Sequence, residues 1–263
     1  MVAVFIGSIS AGLSEKVTIS GSTTALPLVE ATAEVFNDLQ GDCEATVTGG
    51  GTGAGVTAIA EGRSSIAMAS REVKKVEISK YGDGFRQFAI GYDGVAIAVS
   101  KSIYDAGVRQ LTSDQVRKIY AAEIKNWKEV GGPDKAIFAI AREQGSGTRD
   151  TFDEDIMGSK SAETPGVSTV AAGNAEVKTA IIGSDKAIGY LGFNYVQRGN
   201  IRALSIDGVA PSVQTIKDGT YKLHRQLFLY TFGEPKPCAQ KFIDFATGPE
   251  GKKVAEELGF IPF

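Results

Sequence analysis

The sequence predicts an α/β protein with largely parallel sheets. Short apolar runs alternate with amphipathic stretches along the chain, and several strand-like runs end in small, glycine-rich turns that open helical periodicity. The 263 residues suffice for two modest lobes or one large domain. No internal repeat or low-complexity tract interrupts the alternation.

The first thirteen residues are uncharged and mostly apolar or small. They are too short to span a bilayer, which takes about 20 residues. They read either as the apolar stretch of a secretory signal without its basic start or as a first strand. Residues 16–19 read as a strand, Gly21-Ser22-Thr23-Thr24 as a turn, and the chain from about Pro27 as a helix with Val29, Ala33, Phe36 and Leu39 on one face. Pro27 suits a first helical turn, where its missing N–H would have no intrahelical partner. A strand at 45–48 leads through Gly49-Gly50-Gly51-Thr52-Gly53-Ala54-Gly55 into a helix opened by Val56, Ile59 and Ala60. A strand at 66–69 ends at Ser70-Arg71, and strands at 87–90 and 95–99 are separated by Gly91-Tyr92-Asp93-Gly94. Thr112 and Gln115 form a capping box for a helix through Tyr120. Residues 136–141 read as a strand, Gln144-Gly145-Ser146-Gly147 as a turn and 148–157 as a helix; a helix at 173–182 and strands at 187–190 and 202–206 follow. A strand at 227–230 and helices at 237–247 and 250–258 close the chain.

The formal net charge of -3 offers no basic field for nucleic acid or an anionic membrane. Any anion site must be local, made of backbone dipoles and a few arginines. Two cysteines, Cys43 and Cys238, and one histidine, His224, argue against a zinc site, and no Cys-x-x-Cys is present. The cysteines could pair in an oxidising compartment, which sequence alone leaves open.

Three strand-to-helix turns are glycine-rich and carry hydroxyls: residues 21–25, 49–55 and 145–148. The first amides of a helix lack internal partners, and its dipole places roughly half a positive charge there. Glycine lets an anion approach the backbone, and Ser and Thr add donors. One such turn is commonplace; three point to a shared oxyanion. Arg142 precedes the third turn, Arg149 follows it, and Arg71 ends a strand after the second. A guanidinium fork suits a tetrahedral anion, and open α/β sheets bind ligands at strand C-termini.

Other chemistries fit less well. No lysine follows these turns at Walker spacing, whereas Gly49-x-Gly51-x-x-Ala54, with Glu72 about 20 residues on, is a weak dinucleotide fingerprint. No Gly-x-Ser-x-Gly elbow is present. The sole histidine, in Tyr221-Lys222-Leu223-His224-Arg225, reads as the approach to a strand, and no carboxylate pair shows catalytic spacing. Trp127, Phe85, Phe88 and Tyr92 read as core or cleft wall.

The segments Ile19-Ser20-Gly21-Ser22-Thr23-Thr24-Ala25-Leu26-Pro27, Gly49 to Gly55, and Arg142-Glu143-Gln144-Gly145-Ser146-Gly147-Thr148-Arg149 resemble the phosphate-binding proteins of ABC phosphate importers. Ala69-Ser70-Arg71, Asp93-Gly94-Val95-Ala96 and Ala187-Ile188-Gly189-Tyr190 add to the likeness, which runs in order from about residue 17 to the end. The resemblance implies a type II periplasmic-binding-protein fold, with two lobes of mixed or mostly parallel sheet flanked by helices and phosphate in the cleft between them. It implies a non-enzymatic, extracytoplasmic, monomeric protein with no cofactor or metal, serving an ABC permease and ATPase. By position, Ala25 and Leu26 donate backbone N–H groups with the Ser22 or Thr24 hydroxyl. Thr52 donates from the second turn, and Arg142, Ser146, Gly147 and Thr148 from the third, with Ser70 and Arg71 alongside.

One position departs from the pattern. Relatives carry an aspartate where this chain has Arg71, and that aspartate accepts the proton distinguishing hydrogen phosphate from sulfate. Asp93 is the first candidate to replace it and Glu143 the second. Expected boundaries are residues 1–13 as an N-terminal segment, 14–92 with 204–263 as lobe 1, and 93–203 as lobe 2. A sulfate or molybdate binder, a phosphate sensor and, more distantly, a dinucleotide-dependent enzyme are the alternatives.

Overall fold

The computed structural model describes residues 14–159, 162–197 and 201–263. The first thirteen residues, whether signal remnant or strand, lie outside the described residues. Strands β1 Glu15–Gly21, β2 Cys43–Gly49, β3 Ile66–Ala69 and β4 Phe85–Ser100 occupy the first part of the chain. Then come β5 Gln110–Leu111, β6 Phe138–Arg142, β7 Val167–Ala171, β8 Ala187–Gly192, β9 Ile201–Ala203, β10 Ser205–Ile206 and β11 His224–Phe232. The main sheet runs β2-β1-β3-β11-β4-β8-β6-β7, with β9 also on β4, while β10 pairs β5 separately.

The α/β class holds, with a mixed sheet. β1 is parallel to β2 and β3, and β6 is parallel to β7 and β8, but β11 runs antiparallel to β3 and β4, and β4 antiparallel to β8 and β9. The two strands expected on either side of Gly91-Tyr92-Asp93-Gly94 are one strand of 16 residues. The glycines do not break it, because an irregularity in the β11 pairing between Leu227 and Phe228 absorbs the distortion. Gly91, at φ +148°, is required there: a Cβ would stand 2.6 Å from the Ile261 carbonyl oxygen.

β4 links two apolar cores. Phe36, Ile66, Met68, Leu229 and Phe242 gather in one, while Ile97, Trp127, Phe152, Tyr190 and Tyr221 gather in the other. Leu204, Ile206, Ile216 and Leu223 pack into the second core. These side chains cover the face of β4 that carries Val95, Ile97 and Val99.

Local sequence explains the helices that matter. Helix Leu26–Leu39 has Pro27 in its first turn and buries Leu28, Val29, Ala33 and Phe36. Helix Thr52–Ala60 follows Gly51 at φ +86°. Gly55 lets it lie against β1, since a Cβ would meet the Ser20 carbonyl at 2.6 Å. Helix Gly147–Asp155 is capped by Ser146, whose Oγ accepts from Arg149 N, with Asp150 in the positive first turn. Helix Lys75–Tyr81 and strand β7 lack strong periodicity and were not expected from sequence.

Cys43 and Cys238 form a disulfide, with Cα atoms 5.6 Å apart. It ties β2 to helix Pro237–Thr247 beside Phe36 and Phe242, whose rings meet edge-on at 5.2 Å.

Candidate functional site

The three glycine-rich turns meet. Gly53 N donates to the Gly145 carbonyl at 3.0 Å, joining the second turn to the third. A Cβ at Gly147 would stand 2.4 Å from Ser70 Oγ and 2.9 Å from Thr52 Oγ1. Thr24 Oγ1 lies 3.0 Å from Thr148 Oγ1, across 124 residues of sequence. Ser22, Thr24, Thr52, Ser70, Ser146 and Thr148 are all buried. So many hydroxyls removed from water at one place are costly unless they serve one another or a ligand.

Several pair locally. Ser22 Oγ accepts from Thr24 N at 3.2 Å and Ala25 N at 3.4 Å, and Leu26 N donates to the Ser22 carbonyl. Thr52 Oγ1 accepts from Ser70 N at 3.2 Å. The first turn is thus already folded as a helix start, its amides gathered around Ser22.

Arg142 is 1% exposed at the end of β6. Tyr190 fixes its backbone, the phenol oxygen accepting from Arg142 N at 3.0 Å. The Tyr190 ring stacks on Phe152 with centroids 4.0 Å apart, so core packing sets where the guanidinium begins. Nε reaches the Ala171 carbonyl at 3.3 Å, and Nη2 reaches the Ala172 carbonyl at 3.1 Å and Thr23 Oγ1 at 3.3 Å. Glu143 pairs with Nη2 at 2.9 Å. Nη1 is buried with no acceptor among the described residues.

Arg71 is turned elsewhere. Both its Nη atoms bind the Glu77 carboxylate at 2.8 Å, and Nε is 2.8 Å from Asp150. Lys74 joins Asp150 at 2.7 Å. The guanidinium expected among the ligand donors is instead held by two carboxylates. It links the segment after β3 to the first turn of helix Gly147–Asp155, beside the hydroxyl cluster rather than within it.

Two residues that sequence reasoning passed over complete the cluster. Arg225, on β11, is buried, and its Nη2 donates to Thr24 Oγ1 at 2.9 Å and to Thr148 Oγ1 at 3.0 Å. Its Nε and Nη1 are buried without acceptors among the described residues. Asn174, at the start of helix Asn174–Ile182, donates from Nδ2 to Thr23 Oγ1 at 3.1 Å and to Thr24 Oγ1 at 3.0 Å.

Asp93 lies 3.4 Å from Arg225 Nη2 and receives the backbone N–H groups of Phe193 and Asn194. Burial pushes its carboxyl up to about 6 against the pull of Arg225, and burial pulls Arg225 down to about 10. The two acids considered as proton acceptors therefore each stand beside a guanidinium, Glu143 on Arg142 and Asp93 on Arg225. Glu143 also reaches the second turn, its Oε1 lying 3.2 Å from where a Cβ on Gly51 would sit. A cleft of about 740 Å³, lined in part by Ser70, Arg71, Lys74, His224 and Arg225, opens beside the cluster. Among the described residues no group of acidic, His and Cys side chains could hold a metal ion.

Buried hydroxyls and guanidinium donors from segments far apart in sequence define a binding protein for an oxyanion. The sequence pattern of the PBP superfamily domain matches residues 7–250. The chain is 35% identical over 254 residues to the phosphate-binding protein PstS of Bacillus subtilis, covering 95% of this chain and 81% of that protein. Among solved structures it is similar to a Clostridium perfringens protein described as a phosphate ABC transporter substrate-binding protein with bound phosphate. That match has a TM-score of 0.88 and 34% identity, over 95% of this chain and all of the other. An ABC-type phosphate transport receptor from Vibrio cholerae matches with a TM-score of 0.74 and 30% identity, over 93% of this chain and 99% of the other. The chain belongs to the PBP superfamily and, within it, to the PstS family of phosphate-binding proteins.

Proposed function

We propose that the protein captures inorganic phosphate outside the cytoplasm and delivers it to an ABC importer. The observation that carries this reading is the set of buried cationic donors without acceptors among the described residues, Arg142 Nη1 and Arg225 Nε and Nη1, beside hydroxyls from all three turns. A buried guanidinium N–H left unpaired is strongly unfavourable, and a tetrahedral anion offers the acceptors that would satisfy it. Phosphate would lie among Ser22, Thr52, Ser70, Ser146 and Thr148, with the first-turn amide of Gly147 facing it, Thr24 supporting Thr148 from behind and Arg142 as the principal cation. Asp93 would accept the ligand proton, and Arg71 would act through its bonds to Glu77 and Asp150.

The reading makes residues 14–92 with the chain from about His224 one lobe, and the middle of the chain the other, with β4 and β11 crossing between them. Closure on the anion would signal a loaded state to a permease. The disulfide supports an oxidising compartment. Among the described residues no helix is long and apolar enough to cross a membrane.

Charge-assisted hydrogen bonds contribute roughly 1.5–3 kcal/mol each. After ordering and desolvation, a Kd in the micromolar range or tighter, about -8 kcal/mol or beyond, is expected. Isothermal titration with phosphate and with sulfate, at one pH and ionic strength, tests the reading. One phosphate per chain with sulfate much weaker is the expected result; equal binding of both anions would move the assignment to a general oxyanion binder.

A further inference from the structure

The hydroxyls of Thr24 and Thr148 have a determined direction. A threonine hydroxyl offers one proton and two acceptor sites. Asn174 is oriented by Gly192, whose N–H donates to Asn174 Oδ1 at 3.0 Å, so Asn174 must present its NH2 to Thr24. Thr24 Oγ1 then accepts from Asn174 Nδ2 at 3.0 Å and from Arg225 Nη2 at 2.9 Å. Both acceptor sites are filled, so the Thr24 proton must be given away, and Thr148 Oγ1 stands 3.0 Å from it.

The same count then applies to Thr148. Its oxygen accepts from Arg225 Nη2 at 3.0 Å and from Thr24. The two hydrogens of Nη2 are matched by the two threonine oxygens, and the longer contact to Asp93 at 3.4 Å holds the guanidinium by charge. With both acceptor sites filled, Thr148 can only donate, and its proton points away from Thr24 and Arg225.

We propose that Asn174, as a positioning residue, and Arg225, through its Nη2 while Nε and Nη1 are left for the anion, fix the Thr148 hydroxyl as an obligate donor, so that this point of the site accepts only an unprotonated ligand oxygen. The proposal deepens the phosphate reading and rests on it. It assigns Arg225 a function the turns alone did not suggest: a strand residue from near the far end of the chain sets the polarity of hydroxyls from two different turns. The phosphate hydroxyl is consequently directed to another part of the site.

A double-mutant cycle on the full chain, read by isothermal titration with inorganic phosphate, tests it. Thr148→Val is expected to weaken binding by about tenfold or more in the wild-type background, the scale of one lost hydrogen bond to a charged group. In an Arg225→Gln background the Thr148 proton is no longer forced toward the ligand, and Thr148→Val should cost several-fold less than it does in the wild-type background. Thr148→Ser should restore near-wild-type binding. An equal penalty for Thr148→Val in both backgrounds would overturn the proposal, since a residue that merely supports the fold would give multiplicative losses. If Arg225→Gln does not fold, by circular dichroism and thermal melting, Asn174→Leu carries the same cycle with the same two outcomes. Failure of the wild-type chain to bind phosphate would instead refute the functional reading, leaving the two failures distinct.

Discussion

Replacing Arg142 with methionine removes the central guanidinium while keeping much of its buried volume. Arg142 is 1% exposed, and one of its terminal nitrogens has no protein acceptor among the described residues. If Nη1 gives its two hydrogens to the oxyanion in charge-assisted hydrogen bonds, about 4 kcal/mol of binding free energy is lost, or roughly a thousandfold in affinity. The fold should suffer much less. Glu143 loses its partner but is 30% exposed and can be hydrated, while the carbonyls of Ala171 and Ala172 each lose a donor. That amounts to about 1–2 kcal/mol, or about 4 °C in thermal midpoint for a chain of this size. Titration calorimetry measures the first effect, and a thermal melt without phosphate measures the second. A variant that melts within a few degrees of wild type yet binds phosphate within about threefold of it would refute the assignment of Arg142 as principal cation.

Further expectations follow from the same geometry. Gly147→Ala places a methyl 2.4 Å from Ser70 Oγ; because the second and third turns could no longer approach, phosphate affinity should fall by about tenfold or more at little cost in stability, and unchanged affinity would show that this approach is not needed. Asp93, raised by burial from 3.8 to about 6, holds its proton more tightly folded than unfolded. Its contribution to stability is present below about pH 4 and lost as the pH rises to about 6, roughly 3 kcal/mol in all. Urea titrations without phosphate should show that fall for wild type and a flatter profile for Asp93→Asn; identical slopes would assign the effect to another group. The Cys43–Cys238 bond closes 195 residues of chain, and the chain-entropy relation gives about 5 kcal/mol for such a loop. Reduction should lower the thermal midpoint by about 10 °C, and an unchanged midpoint would show that the bond adds nothing to the fold.

Much of the site was legible because its chemistry is local. Gly21, Gly51 and Gly145 sit at positive φ in turns that could be recognised from neighbouring residues alone. Ser146 caps its helix as its position predicts, and Thr112 and Gln115 form the expected capping box. What sequence could not give is long-range. Arg225 meets Thr24 across 201 residues, and in sequence it is one more basic residue beside His224 at the start of a strand. The available signal was a cation two residues before Leu227, in a strand whose first four residues alternate between half-buried and buried. Asn174 was read simply as part of a helix start. Arg71 was placed correctly in sequence but not in space, because Glu77 lies in a weakly periodic helix and Asp150 on the far side of the site. The continuity of β4 escaped for a related reason: four turn-like residues are held extended by β11 and by the C-terminal segment at Ile261, partners remote in sequence.

A crystal structure of the protein grown with phosphate tests most directly whether donors from remote segments converge on one anion. The expected result is a tetrahedral anion within hydrogen-bond distance of Thr148, Arg142 and Arg225, with Thr24 bonded to Thr148 and Arg71 still bound to Glu77 and Asp150. Phosphate bound away from these residues, or Arg142 and Arg225 turned to bulk water, would contradict it.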